Sequence, residues 1–415
     1  MKIYKKYDVI VVGSGASGLI SAIQTAKSGK STLLLEKLSS IGSKLKATGG
    51  GRCNLSNTLD NTSFMQSFGK NGRFMTTALD NLDHKQLMEF FKSIGVDTHI
   101  PDGFRIFPIT HNSSTIIDAL KNELLRLNVE ILFNAKVEEI LVENNNIIGL
   151  KTDNVVYDTT NIILATGGLG YPILGSTGDG YKMVENIGHT TTLLYPAMMP
   201  LNTKENWQGN CTADTIAKAI IKVNLPDKKL KKIKASGDLI FTKKGLRGPV
   251  ILDFAREITP YLDKYDEVPI LINITKGMNE DDILKYIKQQ TILNPHGTIS
   301  EHLSKIIPLN VINELCKLSD INPNSTIKNI SGNAKNNLIK SLAWTPFIIT
   351  GHDGFDKAMI TRGGIKLKEI DSNTMQSKLI DGLYFCGEIV DLDGPCGGYN
   401  LQWAFSSGYL AGKLL

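Results

Sequence analysis

Residues Tyr7–Glu36 read YDVIVVGSGASGLISAIQTAKSGKSTLLLE, and their order decides the fold. The apolar run Val9–Val12 predicts a buried strand that enters Gly13-x-Gly15-x-x-Gly18. A helix to about Ser28 follows, and a second apolar strand, Thr32–Leu35, ends on Glu36. Each part has a physical task. Gly13 permits the tight turn, Gly15 lets the backbone approach a pyrophosphate, and Gly18 lets helix and strand pack closely. The free N–H groups at the helix start, backed by the helix dipole, hold phosphates. Glu36, 18 residues past Gly18, is placed to accept hydrogen bonds from a ribose diol. Its charge disfavours a 2′-phosphate, so FAD or NAD fits better than NADP. A lone GxGxxG is weak evidence, since glycine turns are common, and an ordinary βαβ unit with a tight turn is the plainer alternative. Strand, helix, second strand and acidic end in one register favour the dinucleotide.

The rest of the chain narrows the class. Lys2, Lys5 and Lys6 before an apolar run resemble the start of a secretory signal, but Asp8 interrupts the run and no cleavage-type sequence follows. No window approaches the ~20 apolar residues a membrane span needs, so the chain is expected to be soluble. Five widely spaced cysteines (Cys53, Cys211, Cys316, Cys386, Cys396) fit reduced thiols in a cytoplasm better than a disulfide framework. No CxxC or Cys/His cluster suggests a metal. At 415 residues, two or three domains are expected. Charge is uneven: residues 218–256 hold 11 Lys/Arg against 3 Asp, a local +8, so the remainder carries −3 of the total +5. Such a run is a solvated face or the footprint of a polyanion.

Further glycine loops follow the first. Ala47-Thr-Gly-Gly-Gly-Arg-Cys-Asn-Leu-Ser-Asn57 cannot be a regular element and suggests a backbone pressed against a flat ligand. A strand pair (about 136–142 and 147–151) turns at Asn144–Asn146. An apolar strand, Asn161–Ala165, ends in Thr166-Gly167-Gly168 and returns to the edge of the nucleotide site. Gly175–Gly180 forms another tight loop before a helix (about 179–188). Near the end, Gly382-Leu-Tyr-Phe-Cys-Gly-Glu388 precedes Asp393-Gly-Pro-Cys-Gly-Gly-Tyr-Asn400 and a helix, Leu401–Leu414. Widely separated glycine segments suit a long, two-ended cofactor such as FAD, and the N-terminus of that last helix would stabilise negative charge on a reduced flavin.

TGGGRCN (48–54), ATGGxxYPxxGSTGDGY (165–181), GFDxAxxTxGGI (354–365) and GLYFCGExxDxDGPxGGYNLQWAxSSG (382–408) together resemble the BaiN/RdsA group, YhiN-like FAD-dependent oxidoreductases among the two-dinucleotide-binding-domain flavoproteins. The resemblance implies an α/β chain: a Rossmann-like FAD-binding domain of residues 1–193 and 343–415, a β-barrel-like insert at 194–275 and a small helical insert at 276–342. The residues agree with that split. Alternating strands dominate 215–273, whereas 281–290, 299–307 and 309–318 read as helices broken by Pro295, Pro308 and Pro323. By resemblance, Gly13, Gly15, Ala16 and Gly18 hold the pyrophosphate, Glu36 the ribose, and Val137 the adenine through its backbone. Arg52, Cys53 and Asn54 lie along the flavin, Thr166 and Gly167 support the nucleotide end, Gly387 and Glu388 meet the ribityl–phosphate part, and Gly397, Gly398, Asn400 and Leu401 the isoalloxazine. Lys37, Lys44, Thr48 and Gly49 complete the set. One departure lies in the insert, where a family-like FTHxGLSGP is Phe241-Thr-Lys-Lys-Gly-Leu-Arg-Gly-Pro249, which adds positive charge.

No second strand-linked GxGxxG exists, so NAD(P)H is expected only as a transient reductant. In reduction of an activated C=C bond a general acid must protonate carbon. Cys53 is the candidate catalytic residue, with Tyr399 beside it; packed-thiol and stacked-ring roles are the plainer alternatives. Arg105, in Gly103-Phe-Arg-Ile-Phe-Pro108, is placed either for an anionic substrate or in a surface ion pair. His189 and His352 read as structural, and nothing supports Cys386 and Cys396 as a redox pair. Three functions compete. Relatives have been linked to reduction of uridine to dihydrouridine in ribosomal RNA, which would use the basic segment. Relatives have also been linked to small molecules, by enone reduction on steroid-like bile acids or aminoketone oxidation. The third is a non-catalytic flavin-binding redox protein.

Overall fold

A computed structural model describes residues 4–153 and 155–414; Lys2 lies outside the described residues. The chain divides into two compact units, one built from residues up to Pro196 together with those from Met359 on, the other from Ala197–Ala358.

The first unit is organised on a five-stranded parallel sheet in the spatial order Leu383–Phe385, Ile162–Leu164, Val9–Val12, Thr32–Leu35, Glu130–Leu132. Parallel strands covered on both faces read as continuous apolar runs. Val9–Val12 and Thr32–Leu35 are accordingly buried at every position. The helix Ala16–Lys27 makes the crossover between those two strands, giving the Rossmann-like α/β class that the sequence predicts. It is buried nearly all round, from Ala16 through Ile23, because the last helix, Tyr399–Ala411, packs on it. A Cβ on Gly408 would lie 2.3 Å from the Ser17 carbonyl oxygen, so the two backbones touch there. Gly408→Val is expected to cost about 3 kcal/mol through overpacking, read as a lower urea midpoint.

A four-stranded sheet (Tyr4–Lys6, Val156–Asp158, Asn146–Thr152, Val137–Glu143) and a three-stranded one (Ser56–Asn57, Arg105–Pro108, Thr98–His99) complete this unit. The hairpin joining Val137–Glu143 to Asn146–Thr152 turns on Asn144 and Asn145, both at positive φ, a conformation asparagine tolerates.

The second unit is a closed antiparallel barrel in the order Leu201–Thr203, Gly245–Arg247, Lys234–Phe241, Thr215–Val223, Val268–Asn273, Thr345–His352. Thr345–His352, which the sequence reading assigns to the nucleotide domain at 343–415, instead pairs with Val268–Asn273 and Leu201–Thr203 and closes the barrel. The 215–273 stretch also contains a helix, Pro249–Tyr265, where the sequence suggests strands. Its β-branched start (Val250, Ile251) looks strand-like, but buried Val250, Ile251, Phe254, Ala255, Ile258 and Leu262 keep one helical face. Pro249 suits a first helical position, where an N–H is dispensable. Four helices follow: Glu280–Leu293, Ile299–Leu303, Leu309–Leu318 and Gly332–Ala343. Asn279 and Thr298 close capping boxes on the first two.

Candidate functional site

The first glycine motif follows the Val9–Val12 strand. A Cβ on Gly18 would sit 1.8 Å from the Gly13 carbonyl oxygen, and one on Gly13 2.6 Å from Ala165 O. Both must be glycine because backbone meets backbone. At Gly15 an added Cβ meets nothing within 4 Å. No internal contact demands glycine there, whereas a ligand approaching the backbone would. Gly15 is also the N-cap of Ala16–Lys27, a helix with no side-chain cap and no acidic residue in its first turn. Its first N–H groups and positive dipole end are left without an anionic partner from the chain's own side chains.

Glu36 is buried at the tip of Thr32–Leu35. Its Oε2 accepts hydrogen bonds from Ser14 N (3.0 Å) and Ser14 Oγ (2.5 Å), and Oε1 from Leu38 N (2.8 Å). Those bonds fix the carboxylate beside the glycine turn, and a carboxylate has about four acceptor positions. Val137 is buried at the start of its strand, opposite Thr152.

The second loop coils through Thr48–Gly51, with Gly49, Gly50, Gly51 and then Cys53 at positive φ. Thr48 Oγ1 donates to Leu45 O (2.7 Å), and exposed Arg52 donates Nε to Gly49 O (3.1 Å). Asn54, with its amide nitrogen turned to carbonyls, donates to Ser56 O (2.9 Å) and Ile106 O (3.3 Å) and accepts from Gly398 N (3.0 Å). It thereby joins the second loop to the third. Asn57 Nδ2 adds a bond to Gly397 O (3.0 Å). Asn400 closes the third loop on itself, accepting from Gly394 N (2.8 Å) and donating to Gly394 O (2.9 Å). A Cβ on Gly398 would lie 2.4 Å from Ser56 O. Gly398 caps Tyr399–Ala411, a second helix with no side-chain cap and no acid in its first turn, where Leu401 lies.

The Ile162–Leu164 strand delivers Thr166, whose Oγ1 is buried without a partner, and Gly167 at φ +71°. Gly387, at φ +76°, donates its N–H to Ser407 Oγ (2.9 Å) and accepts from Trp403 Nε1 (3.3 Å). Glu388 is held by Lys44 Nζ (2.7 Å) and Thr361 N (2.8 Å).

Several candidates are engaged differently from the sequence expectation. Lys37, expected at the cofactor, bonds Thr177 and pairs with Asp179 at 2.7 Å. Burial would raise the Asp179 carboxyl, but hydrogen bonds from Lys37 and Thr177 win and hold it down at about 2. Lys44 is committed to Glu388 in the same way. Cys53, the candidate catalytic residue, has no exposed surface. Burial pushes its thiol up to about 12, against a smaller opposing effect of Thr48. It stays protonated and enclosed through the physiological range, so its geometry is that of a packed thiol rather than of an acid facing a substrate. The expected result is that iodoacetamide at pH 8 leaves Cys53 unmodified in the folded protein and labels it only after unfolding, as peptide mass mapping would record. Tyr399 is packed among aromatic rings, 5.0 Å from Phe64 between centroids and 6.1 Å from Phe68. Buried His189 binds Glu369 (3.1 Å) and Ser377 (2.9 Å), and His352 Nδ1 accepts from Gly354 N; both are structural. Arg105 pairs with Asp102.

Ser14, Thr361, Ser407 and Trp403 position the site residues without having been singled out from sequence. Thr361, Trp403 and Ser407 lie inside the quoted motifs, which was the available signal; Ser14 occupies a variable position of GxGxxG.

Residues 7–414 match the family model described as HI0933-like protein Rossmann domain. The chain is 31% identical over 409 residues, 97% of both chains, to a 3-dehydro-bile acid delta(4,6)-reductase of Clostridium scindens. It is 29% identical over 405 residues, 96% of both chains, to a ribosomal RNA dihydrouridine synthase of Haemophilus influenzae. Among solved structures, a 3-ketosteroid delta1-dehydrogenase from Sterolibacterium denitrificans shares the fold, with TM-score 0.54, 12% identity and 99% of each chain covered. With the match running from the first strand to the last helix, the chain belongs to the HI0933-like Rossmann-domain family.

Proposed function

We propose that this protein is an FAD-dependent oxidoreductase that reduces a carbon–carbon double bond conjugated to a carbonyl, taking electrons from a transiently bound NAD(P)H. The observation that carries the cofactor is the pair of uncapped helix N-termini, at Gly15 and Gly398, the first of them a glycine that no internal contact requires. The residues fit FAD. Buried Thr166 Oγ1 is an orphan that a nucleotide would satisfy, Glu36 retains acceptor capacity for a ribose, and open space lies over Gly15, Gly50 and Gly51. Gly13, Gly15, Ala16 and Gly18 would hold the pyrophosphate, Glu36 and Val137 the adenosine, Thr48, Gly49, Asn54 and Gly387 the middle, and Gly397–Leu401 the isoalloxazine. When bound, FAD supplies hydride chemistry that no side chain can. The chain's part is to bind, orient and exclude water. The dipole of Tyr399–Ala411 favours negative charge at its N-terminus, and the Asn54, Asn57 and Asn400 bonds keep that end in place.

Two relatives matched over nearly their full length bear names for reactions that saturate a conjugated double bond, and this shared chemistry supports the reading. The distribution of charge favours RNA as substrate. Lys228, Lys229, Lys231, Lys232, Lys234, Lys243, Lys244 and Arg247 are all exposed on the barrel unit. Asp227, just before the run, is turned onto the backbone N–H groups of Lys229 (2.7 Å) and Leu230 (3.3 Å), which hold its carboxyl low, and Asp238, within it, accepts from Lys218 N (3.1 Å). Trp207 is half-buried and packed against Phe347 and Phe241 in the barrel, which takes up part of its ring. A small enone is the second reading, favoured by the 31% identity to the bile acid reductase. Nitrocellulose retention of ribosomal RNA between 50 and 200 mM salt separates the two. An RNA enzyme loses affinity steeply over that range, by roughly 10³-fold for six phosphate contacts, whereas an enone reductase retains no RNA at either salt. A cytoplasmic location is part of this reading and is compatible with the five free cysteines.

A further inference from the structure

The three-stranded sheet of the first unit carries an arrangement that the cofactor reading does not use. Phe107 is 3% exposed and forms a floor. The Arg52 guanidinium carbon lies 5.4 Å from its ring centroid, and that of Arg105 lies 5.8 Å from the same centroid. Arg52 comes from the 48–54 glycine loop and Arg105 from the strand Arg105–Pro108, so the fold brings them together across more than fifty residues.

Each guanidinium is tethered through Nε. Arg52 donates it to Gly49 O (3.1 Å), and Arg105 donates it to Asp102 Oδ2 (2.5 Å). Asp102 offsets one charge, but its other oxygen is taken by the N–H groups of Phe104 (3.0 Å) and Arg105 (2.7 Å). With Nε committed, the terminal nitrogens of both arginines remain to donate, and both side chains are exposed. Two planar forks held on one ring are pre-organised for an oxyanion, because little rotamer freedom is lost on binding. Beside them Gly50 and Gly51 have open space where a side chain would stand. His111, 5.4 Å from Phe107 between centroids, and His99, 4.5 Å from His111, extend the same patch. The buried Nε2 of His99 has no hydrogen-bond partner.

We propose that Arg52 and Arg105, tethered over Phe107, form a subsite for a phosphate or carboxylate group of a small ligand that lies along the Gly49–Gly51 loop. This rests on the reading of that loop as part of the redox site, and it moves Arg52 from holding the cofactor to holding what reacts with it. Either the nicotinamide donor or an anionic substrate carries such a group.

The test uses the purified full-length protein and inorganic pyrophosphate as probe, titrated calorimetrically at constant ionic strength. Binding should be saturable, weaken at least about tenfold in Arg52→Gln and in Arg105→Gln, and be only partly restored by Arg52→Lys, which cannot bind bidentately. Lys85→Gln, an exposed lysine on the helix His84–Ser93, should leave it unchanged. Flavin absorbance per protein should stay at the wild-type value in both arginine variants. Displacement by NADPH and not NADH assigns the subsite to the donor's 2′-phosphate, displacement by both assigns it to the donor's pyrophosphate, and displacement by neither assigns it to the substrate. Absence of pyrophosphate binding, unchanged affinity in both variants, or loss of flavin in Arg52→Gln overturns the subsite. A wild-type protein that binds pyrophosphate through both arginines but never takes up flavin sinks the cofactor reading and leaves the subsite standing.

Discussion

Glu36→Arg is expected to yield protein that purifies without yellow colour. The carboxylate is buried and already aligned by Ser14 and Leu38, so it can meet a ribose without reorganising. Hydrogen bonds to a charged acceptor contribute about 1.5–3 kcal/mol each. Losing one at a ribose diol costs roughly 10- to 100-fold in affinity, and losing two costs more. The arginine also removes the acceptor for Ser14 N and places a cation among buried apolar side chains. Glu36→Gln keeps shape and one acceptor oxygen, and should retain flavin with reduced affinity. The check is the ratio of flavin to protein absorbance in the purified variants, with circular dichroism to confirm that each is folded. A fully yellow Glu36→Arg protein would place the ribose elsewhere.

The triple change of Lys231, Lys232 and Lys234 to Glu is expected to abolish retention of ribosomal RNA while leaving flavin content untouched. Lys231 and Lys232 lie on an exposed single turn, Leu230–Lys232, and Lys234 opens the strand Lys234–Phe241. All three are exposed, and among the described residues no ion pair engages them. Each lysine that meets a phosphate contributes about one to the slope of log affinity against log salt. The substitution should therefore flatten the slope by about three and weaken binding more than 100-fold near 100 mM salt. Because the changed side chains are solvent-facing, stability should move by less than about 1 kcal/mol. Unchanged RNA affinity would make the basic run a solvated face and turn the account toward a small enone.

The Rossmann-like unit was legible because its signals are local. Glycine spacing, two four-residue apolar runs and a terminal acid each have a short-range cause, and the parallel pairing of Val9–Val12 with Thr32–Leu35 follows from them. The barrel was less so. Thr345–His352 closes it across more than seventy residues from its partner Val268–Asn273, a pairing that no local pattern records. The Pro249–Tyr265 helix hid behind β-branched residues, although its buried positions keep helical spacing. At the site, residue types were visible but their commitments were not. Lys37 and Lys44 look free in sequence and are paired in three dimensions with Asp179 and Glu388, 142 and 344 residues away. Cys53 is a candidate by its place after a glycine loop; its complete burial in the hydrophobic core of the first unit, which depends on the whole fold, gives it the packed-thiol geometry instead.

The most direct measurement is a single turnover that bypasses the electron donor. The purified protein, its flavin reduced by light under anaerobic conditions, is mixed with ribosomal RNA from cells lacking this protein and, separately, with a conjugated steroid-like enone. The account predicts reoxidation at 450 nm matched one-to-one by a newly saturated double bond in one of the two acceptors, by mass spectrometry. A flavin that stays reduced with both, or reoxidises without a saturated product, would contradict it.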